Sequence, residues 1–474
     1  MRWTVGEVAG ALGVAAAAGV DPLAWVAGVS IDSRTVRGGE LFVAIHGPRH
    51  DGHAFVGAAL DAGAVAAVVA RERAAEYPGA VRRKLIVVER TLDALQELAR
   101  GVRRRWGKRI AAVTGSTGKT TTKEILAQLL GARLRVLKSE GNLNNDYGLP
   151  LSLARLEREH EAAVLELGMS RKGELARLAK IAEPEVGVVT NVAPVHLEFF
   201  ASVDEIALAK RELIEGLAGA APVAVLNADD ARVEKFAEGF RGRVLRFGIE
   251  AAADFRAENV LVRRADGSAF DCVTPAWRAR LELALPGAHN IRNALAAIAA
   301  ASVWGITAEE AQRGLRAVRP AAMRGEVLRL EPGITVLNDC YNSNPVALAA
   351  TVDLLAGASD CRRRVLVAGE MLELGATSAE LHREAGRSAA RRVDWIFGVQ
   401  GDAAELVEGA VAAGHEPGRA RFFGDSEQAA EFLSAFVEKG DLVLVKGSRG
   451  VKMERIVEGL KARHRETSQA VQRE

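Results

Sequence analysis

The sequence is poor in cysteine, in long apolar runs and in net charge. Its three cysteines, Cys272, Cys340 and Cys361, show neither the close pairs nor the histidine spacing of a metal site. This pattern excludes a disulfide framework and a structural zinc site, and reduced thiols are expected. No apolar run approaches the roughly 18 residues of a membrane span, so stable membrane insertion is not expected. With 63 basic and 61 acidic side chains the net charge is +2, which does not favour nucleic acid as a partner.

The N-terminal stretch has the alanine and glycine content of a signal peptide, but a charge interrupts it. Glu7 breaks the apolar run, and Thr4 with Glu7 forms the capping-box pattern of a helix start. We therefore expect a folded N-terminal helix and a cytoplasmic protein.

What the sequence does contain is a repeated alternation of short apolar strands and amphipathic helices, which is typical of α/β folds. Its 474 residues predict about three domains. The composition changes at Gly107, and Arg319-Pro320 interrupts the alternation of strands and helices. These two positions set the predicted domain boundaries. The predicted parts are a small α/β domain (1–106), a central domain with a mostly parallel sheet (107–320), a doubly wound, Rossmann-like domain (321–465) and a loose tail (466–474).

The clearest motif is a strand, a glycine turn and a helix in immediate succession, IAAVTGSTGKTTTKEILAQLL. Gly115 and Gly118 let the backbone approach an anion at the positive end of the helix. Lys119 is expected to reach the outer phosphates of a nucleotide, and Thr120 to place a hydroxyl on its magnesium ion. The alternative is a plain glycine turn with a solvated lysine. The predicted nucleotide contacts are Thr114, Gly115, Ser116, Thr117, Gly118, Lys119, Thr120 and Thr121.

Two features follow this phosphate loop along the chain. The Asn-rich segment GNLNNDYGLP is either a turn or a holder of polar substrate, with Asn142 and Asn145 as candidates. Glu166 then interrupts a strand that is otherwise suited to burial on both faces. A buried carboxylate needs a partner, which here is either a structural ion pair or a magnesium ion beside the phosphates.

A histidine and a lysine mark the next strand and helix. His196 follows the strand that starts at Val186, and by itself it supports no functional prediction. Ser202 caps a helix whose apolar stripe contains Lys210. That lysine either extends its ammonium group to solvent or lies in a desolvated place that favours the neutral, modifiable amine.

Further polar segments follow predicted strands, where open α/β sheets bind ligands. In the first domain Ser33, Arg34 and the loop from Gly47 to His53, including Asp51, are candidates, with a plain turn as the alternative. In the third domain the segments 338–345 and 369–375 have the same placement. Asn293 opens an Ala-rich helix, where it either contacts a nucleobase or caps and packs.

Six blocks of the sequence together resemble one family. They are DSRTVRGGELFVAIHG, VTGSTGKTTT, LELGMSRKGELARL, TNVAPVHLEFF, AKRELI and HNIRNALAA. From about residue 25 to residue 460 the chain resembles the ATP-dependent Mur ligases of bacterial peptidoglycan synthesis. NDCYNSNP, GEMLELG and KGSRGVKM are similar to the member that adds D-alanyl-D-alanine to UDP-N-acetylmuramoyl tripeptide. The Asp-Tyr-Ala-His-Thr-Pro and Asp-Asn-Pro-Arg blocks expected of the third-residue-adding ligase are missing from the sequence.

The resemblance implies a reaction and a role for each candidate residue. The tripeptide carboxylate attacks the γ-phosphate of ATP, and the dipeptide amine then displaces phosphate from the acyl phosphate. Thr120 and Glu166 hold one Mg²⁺, His196 holds a second, and Lys210 carries a carbamate derived from CO2. The remaining implied contacts are Asn293 to adenine, Asp339 to ribose, Arg324 to the γ-phosphate, Ser33, Arg34, Gly47, Asp51 and His53 to the UDP-sugar, and Asn342 and Asn344 to the dipeptide.

Two alternatives remain at this stage. One is another amide ligase of the same superfamily, of the third-residue-adding or folyl-polyglutamate type, although the DSR and DGH blocks of the first domain argue against the latter. The other is a nucleotide-driven switch, which would hydrolyse nucleotide without an acid and an amine together. A monomer is expected in either case.

Overall fold

A computed structural model describes residues 3–47, 50–263, 266–358 and 361–467. Within these ranges the strands form one two-stranded, one four-stranded, one six-stranded and one nine-stranded sheet. Helices cover the larger sheets, and the α/β fold class predicted from the sequence is confirmed.

The N-terminal part contains a parallel four-stranded sheet, in the order β3-β4-β5-β6, and a short antiparallel pair, β1-β2. The predicted capping box is present, because Thr4 and Glu7 bond to each other's backbone N–H groups at the start of α1. The elements are β1 (Trp3–Thr4), α1 (Val5–Ala11), β2 (Trp25–Val26), β3 (Val29–Ser30), β4 (Leu41–Val43), α2 (Val56–Asp61), β5 (Ala66–Ala70), α3 (Gly79–Arg82), β6 (Leu85–Val88) and α4 (Thr91–Trp106).

The central part is built on the nine-stranded sheet, in the order β15-β14-β13-β12-β11-β10-β7-β9-β8. Its strands are parallel from β8 to β13, and β14 and β15 continue it antiparallel. The elements are β7 (Ile110–Thr114), α5 (Lys119–Leu130), β8 (Val136–Lys138), α6 (Gly148–Ala154), β9 (Ala162–Glu166), α7 (Glu174–Ala182), β10 (Val186–Val189), α8 (Val203–Glu215), β11 (Val223–Asn227), α9 (Ala231–Glu234), β12 (Arg243–Gly248), β13 (Phe255–Val262), β14 (Ser268–Val273), β15 (Arg278–Leu283), α10 (Ala288–Ala301) and α11 (Ala308–Ala317).

The order of the central strands determines where a ligand can bind. Strand β7 lies between β9 and β10, and the chain leaves it toward β8 and β9 before it crosses to β10. Val113 pairs with Glu166, and Thr114 pairs with Val189, so the three strands end at one edge. Ligands of parallel α/β sheets bind at such a reversal of strand order, and the phosphate loop follows β7 there.

The C-terminal part contains the six-stranded sheet, in the order β16-β17-β21-β18-β19-β20. Only β16 runs antiparallel to its neighbour among these described strands. The elements are β16 (Glu326–Leu330), β17 (Ile334–Asp339), α12 (Pro345–Ala356), β18 (Arg363–Gly369), α13 (Ser378–Ala389), β19 (Trp395–Val399), α14 (Ala403–Ala412), β20 (Ala420–Phe423), α15 (Ser426–Phe436), β21 (Asp441–Lys446) and α16 (Glu454–Arg463).

The end of the described chain returns to this sheet. Glu466 pairs with Leu330 in an antiparallel bridge, and the Thr467 N–H donates to the Arg329 carbonyl at 2.8 Å. The expectation of a loose tail from 466 is therefore wrong for Glu466 and Thr467, because the edge of β16 offers them unpaired backbone groups. Residues 468–474 of the predicted tail lie outside the described ranges.

The predicted domain boundaries near 107 and 320 fall between the sheets, and we keep them as a proposal. Helix α4 ends at Trp106, where Gly107 takes a left-handed conformation that stops the helix. Across the four described ranges, we find no helix that combines the length and the apolar character needed to cross a bilayer.

Candidate functional site

The phosphate loop forms a cradle that side chains would fill. Gly115 has φ +145°, and a Cβ built on it would lie 1.8 Å from Thr190 Oγ1. Gly118 has φ +78° and caps α5, and a Cβ there would lie 2.2 Å from Asn293 Oδ1. Both positions need glycine, so the backbone N–H groups at the start of α5 remain open to an anion.

Lys119 points back over this loop. Its Nζ donates to the carbonyls of Gly115 at 2.8 Å and Ser116 at 3.3 Å. Burial lowers the pKa of Lys119, the charge of Glu166 opposes that shift, and Arg324 of the C-terminal part reinforces it. Two cations from different parts of the chain therefore meet at the loop, which is an arrangement suited to a polyanion.

Glu166 ends β9 and is held by side chains on both of its oxygens. Thr120 Oγ1 donates to Oε2 at 2.7 Å, and Asn144 Nδ2 donates to Oε1 at 2.8 Å. The Glu166 N–H donates to Ser139 Oγ at 2.9 Å. The carboxylate is 2% exposed, so these bonds fix its position beside the phosphate loop.

Asn144 is a residue that the sequence analysis missed. The Asn-rich segment predicts Asn142 and Asn145 as the substrate candidates. Asn145 Oδ1 instead accepts from the Tyr147 and Gly148 N–H groups at the start of α6, and Asn142 lines the cavity described below. Three asparagines within four residues gave the only signal, and the direction of each side chain depends on the turn.

The residues at this edge fit a magnesium ion. Thr120 Oγ1, Glu166 and the Asn144 carboxamide supply hard oxygen donors, the type that Mg²⁺ prefers together with water and phosphate oxygens. No group of three His, Cys, Asp or Glu side chains clusters as a metal site among the described residues. The three oxygen donors would leave the other positions of such an ion to water and phosphate oxygens.

Lys210 lies inside the core of the central part. It is 2% exposed on α8, so of the two alternatives left open by the apolar stripe the structure has the desolvated lysine. Burial, followed by the charge of Lys119, lowers the pKa of Lys210 well below its ordinary value. We find no hydrogen bond or ion pair to its amine within the described residues.

His196 contacts the C-terminal part of the chain. Its φ of +55° is unusual for a side chain other than glycine, and its Nδ1 bonds to the Glu373 carboxylate of the C-terminal part. The imidazole also lines the cavity.

The C-terminal part adds charged and amide groups. The Arg324 guanidinium lies 4.0 Å from the centre of the Tyr341 ring. Asp339 Oδ2 accepts from the buried Lys446 Nζ at 2.5 Å. Asn344 caps α12, because its Oδ1 accepts from the Ala347 N–H at 2.9 Å. Part of the hydrogen-bonding capacity of its carboxamide is therefore already used.

A neutral surface lies at the start of α10. Thr122 Oγ1 contacts Asn293 Oδ1 at 3.4 Å, and Asn293 Nδ2 donates to Asn290 Oδ1 at 3.2 Å. Burial lowers the pKa of His289 to about 4, so its ring is neutral at physiological pH. These three neutral side chains suit a planar base, and they lie beside Arg292, which pairs with Asp229 at 2.9 Å.

These elements enclose one cavity of about 810 Å³ between the central and C-terminal parts. The predicted site residues that line it are Ser116, Thr117, Gly118, Lys119, Thr121, Asn142, Asn145, Glu166, His196, Asn293, Arg324, Asp339, Asn342 and Asn344. Those absent from its lining are Thr114, Gly115, Thr120, Lys210, Ser33, Arg34, Gly47, Asp51 and His53. The first four of these lie under the loop or in the core, and the last five belong to the N-terminal part.

The predicted N-terminal contacts are largely engaged with each other. His53 Nδ1 bonds to Asp51 Oδ1 at 2.7 Å, and its Nε2 accepts from the Ala70 N–H at 3.0 Å. Arg34 pairs with Asp32 and is exposed. Asp51 and His53 therefore shape the loop, of which residues 48 and 49 lie outside the described ranges.

Gly118→Ala is expected to raise the KM for ATP by about 10- to 100-fold, because Asn293 must move from the wall of the cavity. Gly173→Ala is the matched control. Gly173 caps α7 with φ +85°, and a Cβ there meets nothing within 4 Å. Both variants carry the left-handed strain of about 1–2 kcal/mol, and only Gly118→Ala also displaces Asn293. Equal KM values for the two variants would contradict the assignment of the cradle.

Comparison with known proteins gives three matching family models. They are the Mur ligase family catalytic domain over residues 26–103, the Mur ligase middle domain over 113–301, and the Mur ligase glutamate ligase domain over 323–449. The UDP-N-acetylmuramoyl-tripeptide--D-alanyl-D-alanine ligase of Bacillus subtilis (strain 168) is 35% identical over 434 residues, which cover 91% of this chain and 93% of that protein.

Solved structures agree with this result. The crystal structure of MurF from Acinetobacter baumannii matches with a TM-score of 0.87 and 29% identity, over 98% of this chain and 99% of that one. The MurF ligase from Thermotoga maritima in complex with ADP matches with a TM-score of 0.79 and 30% identity, over 92% and 97%. Because the family models and a full-length relative cover the same three parts, the chain belongs to the Mur ligase family.

Proposed function

We propose that this protein is an ATP-dependent ligase that joins D-alanyl-D-alanine to UDP-N-acetylmuramoyl tripeptide, giving the pentapeptide precursor of peptidoglycan. The observation that carries the proposal is the cavity, where a phosphate loop of the central part faces charged and amide side chains of the C-terminal part. The similarity over nine-tenths of the chain to a ligase of that name supports the choice of substrates.

The proposed reaction has two steps. An oxygen of the tripeptide carboxylate attacks the γ-phosphorus of ATP, and ADP leaves. The amine of D-alanyl-D-alanine then attacks the carbonyl carbon, phosphate leaves, and the nitrogen loses a proton. The first step brings two anions together, so we assign Lys119 and Arg324 to offset their repulsion and to hold them in line.

The metal-facing residues follow from the bonds around Glu166. We assign Thr120 and Glu166 to hold Mg²⁺, with Asn144 fixing the carboxylate, and His196 to act at a second ion. Magnesium bound there would neutralise negative charge on the phosphates. Thr120 and Asn144 bond to Glu166 directly, so the carboxylate is already oriented toward the loop.

We assign Lys210 as the site of a carbamate. Its lowered pKa leaves a neutral amine, which is the form that reacts with CO2 with loss of one proton. A carbamate on this amine would supply two oxygens that share one negative charge, near the positive charge of Lys119. The burial of Lys210 supports this assignment.

The remaining residues are assigned to ATP, to the dipeptide and to the UDP-sugar. We assign Asn293 to adenine, Asp339 to ribose, and Asn342 and Asn344 to the dipeptide, since all four line the cavity. Ser33, Arg34, Gly47, Asp51 and His53 would hold the UDP-sugar, with the Asp51 carboxylate bonded to the His53 ring. Closure of the C-terminal part over the loop would exclude water from the acyl phosphate.

We further propose that the protein acts as a monomer in the cytoplasm, where ATP and UDP-linked sugars are available. Neither nucleic acid nor a membrane has a part in the proposed reaction.

The test is phosphate release by the purified protein with ATP and magnesium. UDP-N-acetylmuramoyl tripeptide and D-alanyl-D-alanine are added singly and together, and the product is weighed by mass spectrometry. Release that needs both, with a product heavier by the dipeptide less water, is the expected result. Release without either would indicate a nucleotide-driven switch. Release with a different amine would indicate another ligase of the family.

A further inference from the structure

The segment between β18 and α13 contributes no residue to the proposed reaction. It carries the GEMLELG motif, and it reaches from the C-terminal part to the central part. The Glu373 carboxylate bonds to His196 Nδ1, and the Glu198 N–H donates to the Glu373 carbonyl at 3.3 Å. Gly375 lies close to Glu198, because a Cβ built on Gly375 would be 3.4 Å from the Glu198 Cα.

Both partners of this contact have an unusual backbone. His196 has φ +55° and Glu373 has φ +65°, in the left-handed region that side chains other than glycine and asparagine rarely adopt. Such conformations cost free energy and persist where surrounding contacts fix them, often at functional sites. Two of them meet at one hydrogen bond between the central and C-terminal parts.

The segment is also hydrogen-bonded within the C-terminal part. His382 is fully buried, its Nε2 accepts from the Met371 N–H at 2.9 Å, and its Nδ1 donates to the Ser378 carbonyl at 2.8 Å. Ser448 Oγ accepts from the Leu372 N–H at 2.9 Å. These bonds join the segment to α13 and to the end of β21, so Glu373 moves with the C-terminal part as a whole.

We propose that Glu373 is a positioning residue, which orients the His196 imidazole in the cavity when the C-terminal part is docked. A carboxylate on one ring nitrogen selects the tautomer and directs the other nitrogen to its task. With Nδ1 bound to Glu373, Nε2 is the nitrogen that acts in the cavity. The catalytic pocket is thus complete only in the docked arrangement. The proposal depends on the proposed function only for its rate measurements.

The rate measurements use E373A and E373Q, with E198Q as the matched control. Glu198 lies two residues from His196 and is exposed. We expect E373A to lower kcat by about 10- to 100-fold with little change in KM for ATP. E373Q keeps an acceptor for Nδ1–H and should lose less, and E198Q should match the wild type. A wild-type kcat for E373A would overturn the proposal.

A double-variant cycle separates a role through His196 from an independent one. If Glu373 acts through the imidazole, E373A combined with H196Q should be no slower than H196Q alone. A further loss equal to that of E373A in the wild-type background would overturn the proposal.

The second readout needs no substrate. In protein labelled with 15N-histidine, H196Q identifies the His196 ring signals. We expect E373A, but not E198Q, to shift those signals and to speed amide hydrogen exchange at residues 196–199. Unchanged signals and exchange in E373A would overturn the proposal even if ligation were never detected. Inactivity of the wild type with these changes present would instead count against the proposed function alone.

Discussion

Lys119→Ala is expected to lower the rate of ATP-dependent ligation by about 1,000-fold. The Nζ of Lys119 already lies at the Gly115 and Ser116 carbonyls, where phosphate oxygens would compete for it. Removing it takes away one of the two cationic side chains assigned to offset the repulsion between a triphosphate and a carboxylate. The measurement is single-turnover ligation at saturating ATP, together with the affinity for ATP.

The fold should tolerate this change. Burial lowers the pKa of Lys119, so its charge is held in an unfavourable place and the thermal unfolding temperature should fall little. The control is Lys180→Ala, a lysine exposed on α7, which should match the wild type in rate. A Lys119→Ala variant that kept more than a tenth of the rate would remove the phosphate loop from the mechanism.

Lys210→Ala is expected to lower ligation by about 100- to 1,000-fold and to regain activity with formate or acetate. A small carboxylate can occupy the space of the lost side chain and supply the anionic oxygens assigned to the carbamate. The measurement is the initial rate as a function of carboxylate concentration. A 13C signal from labelled CO2 in the wild type, missing from the variant, would detect the modification directly.

Lys123 offers a close control for this rescue. It is as buried as Lys210, at 1% against 2% exposure, but its Nζ donates to the Ser139 carbonyl at 2.8 Å and pairs with Glu124 at 2.9 Å. Lys123→Ala should therefore destabilise the protein without a response to carboxylates. Full activity of Lys210→Ala without added carboxylate, or equal rescue of both variants, would contradict the carbamate.

The sequence predicted those features whose cause is local. The phosphate loop was recognisable because two glycines and a helix start lie within six residues. The caps at Thr4 and Ser202 are present because each bond joins residues three apart. The helical period placed Lys210 in an apolar stripe, but its burial was decided by the packing of α8.

Contacts between distant segments were not predictable in the same way. Asn144, rather than its neighbours, reaches Glu166 because the turn before α6 aims it there. Nothing in the GEMLELG motif indicated that Glu373 would meet His196, which is 177 residues earlier.

The sequence by itself thus determined the α/β class, the nucleotide loop and the family. Each of these depends on the spacing of residues along a short stretch, where backbone geometry leaves few choices. Only the tertiary structure decided which side chains share the cavity, because strand order and the docking of the C-terminal part bring residues together irrespective of their separation in the chain. Strand order and docking depend on many weak packing contacts added together, and no single stretch of sequence encodes them.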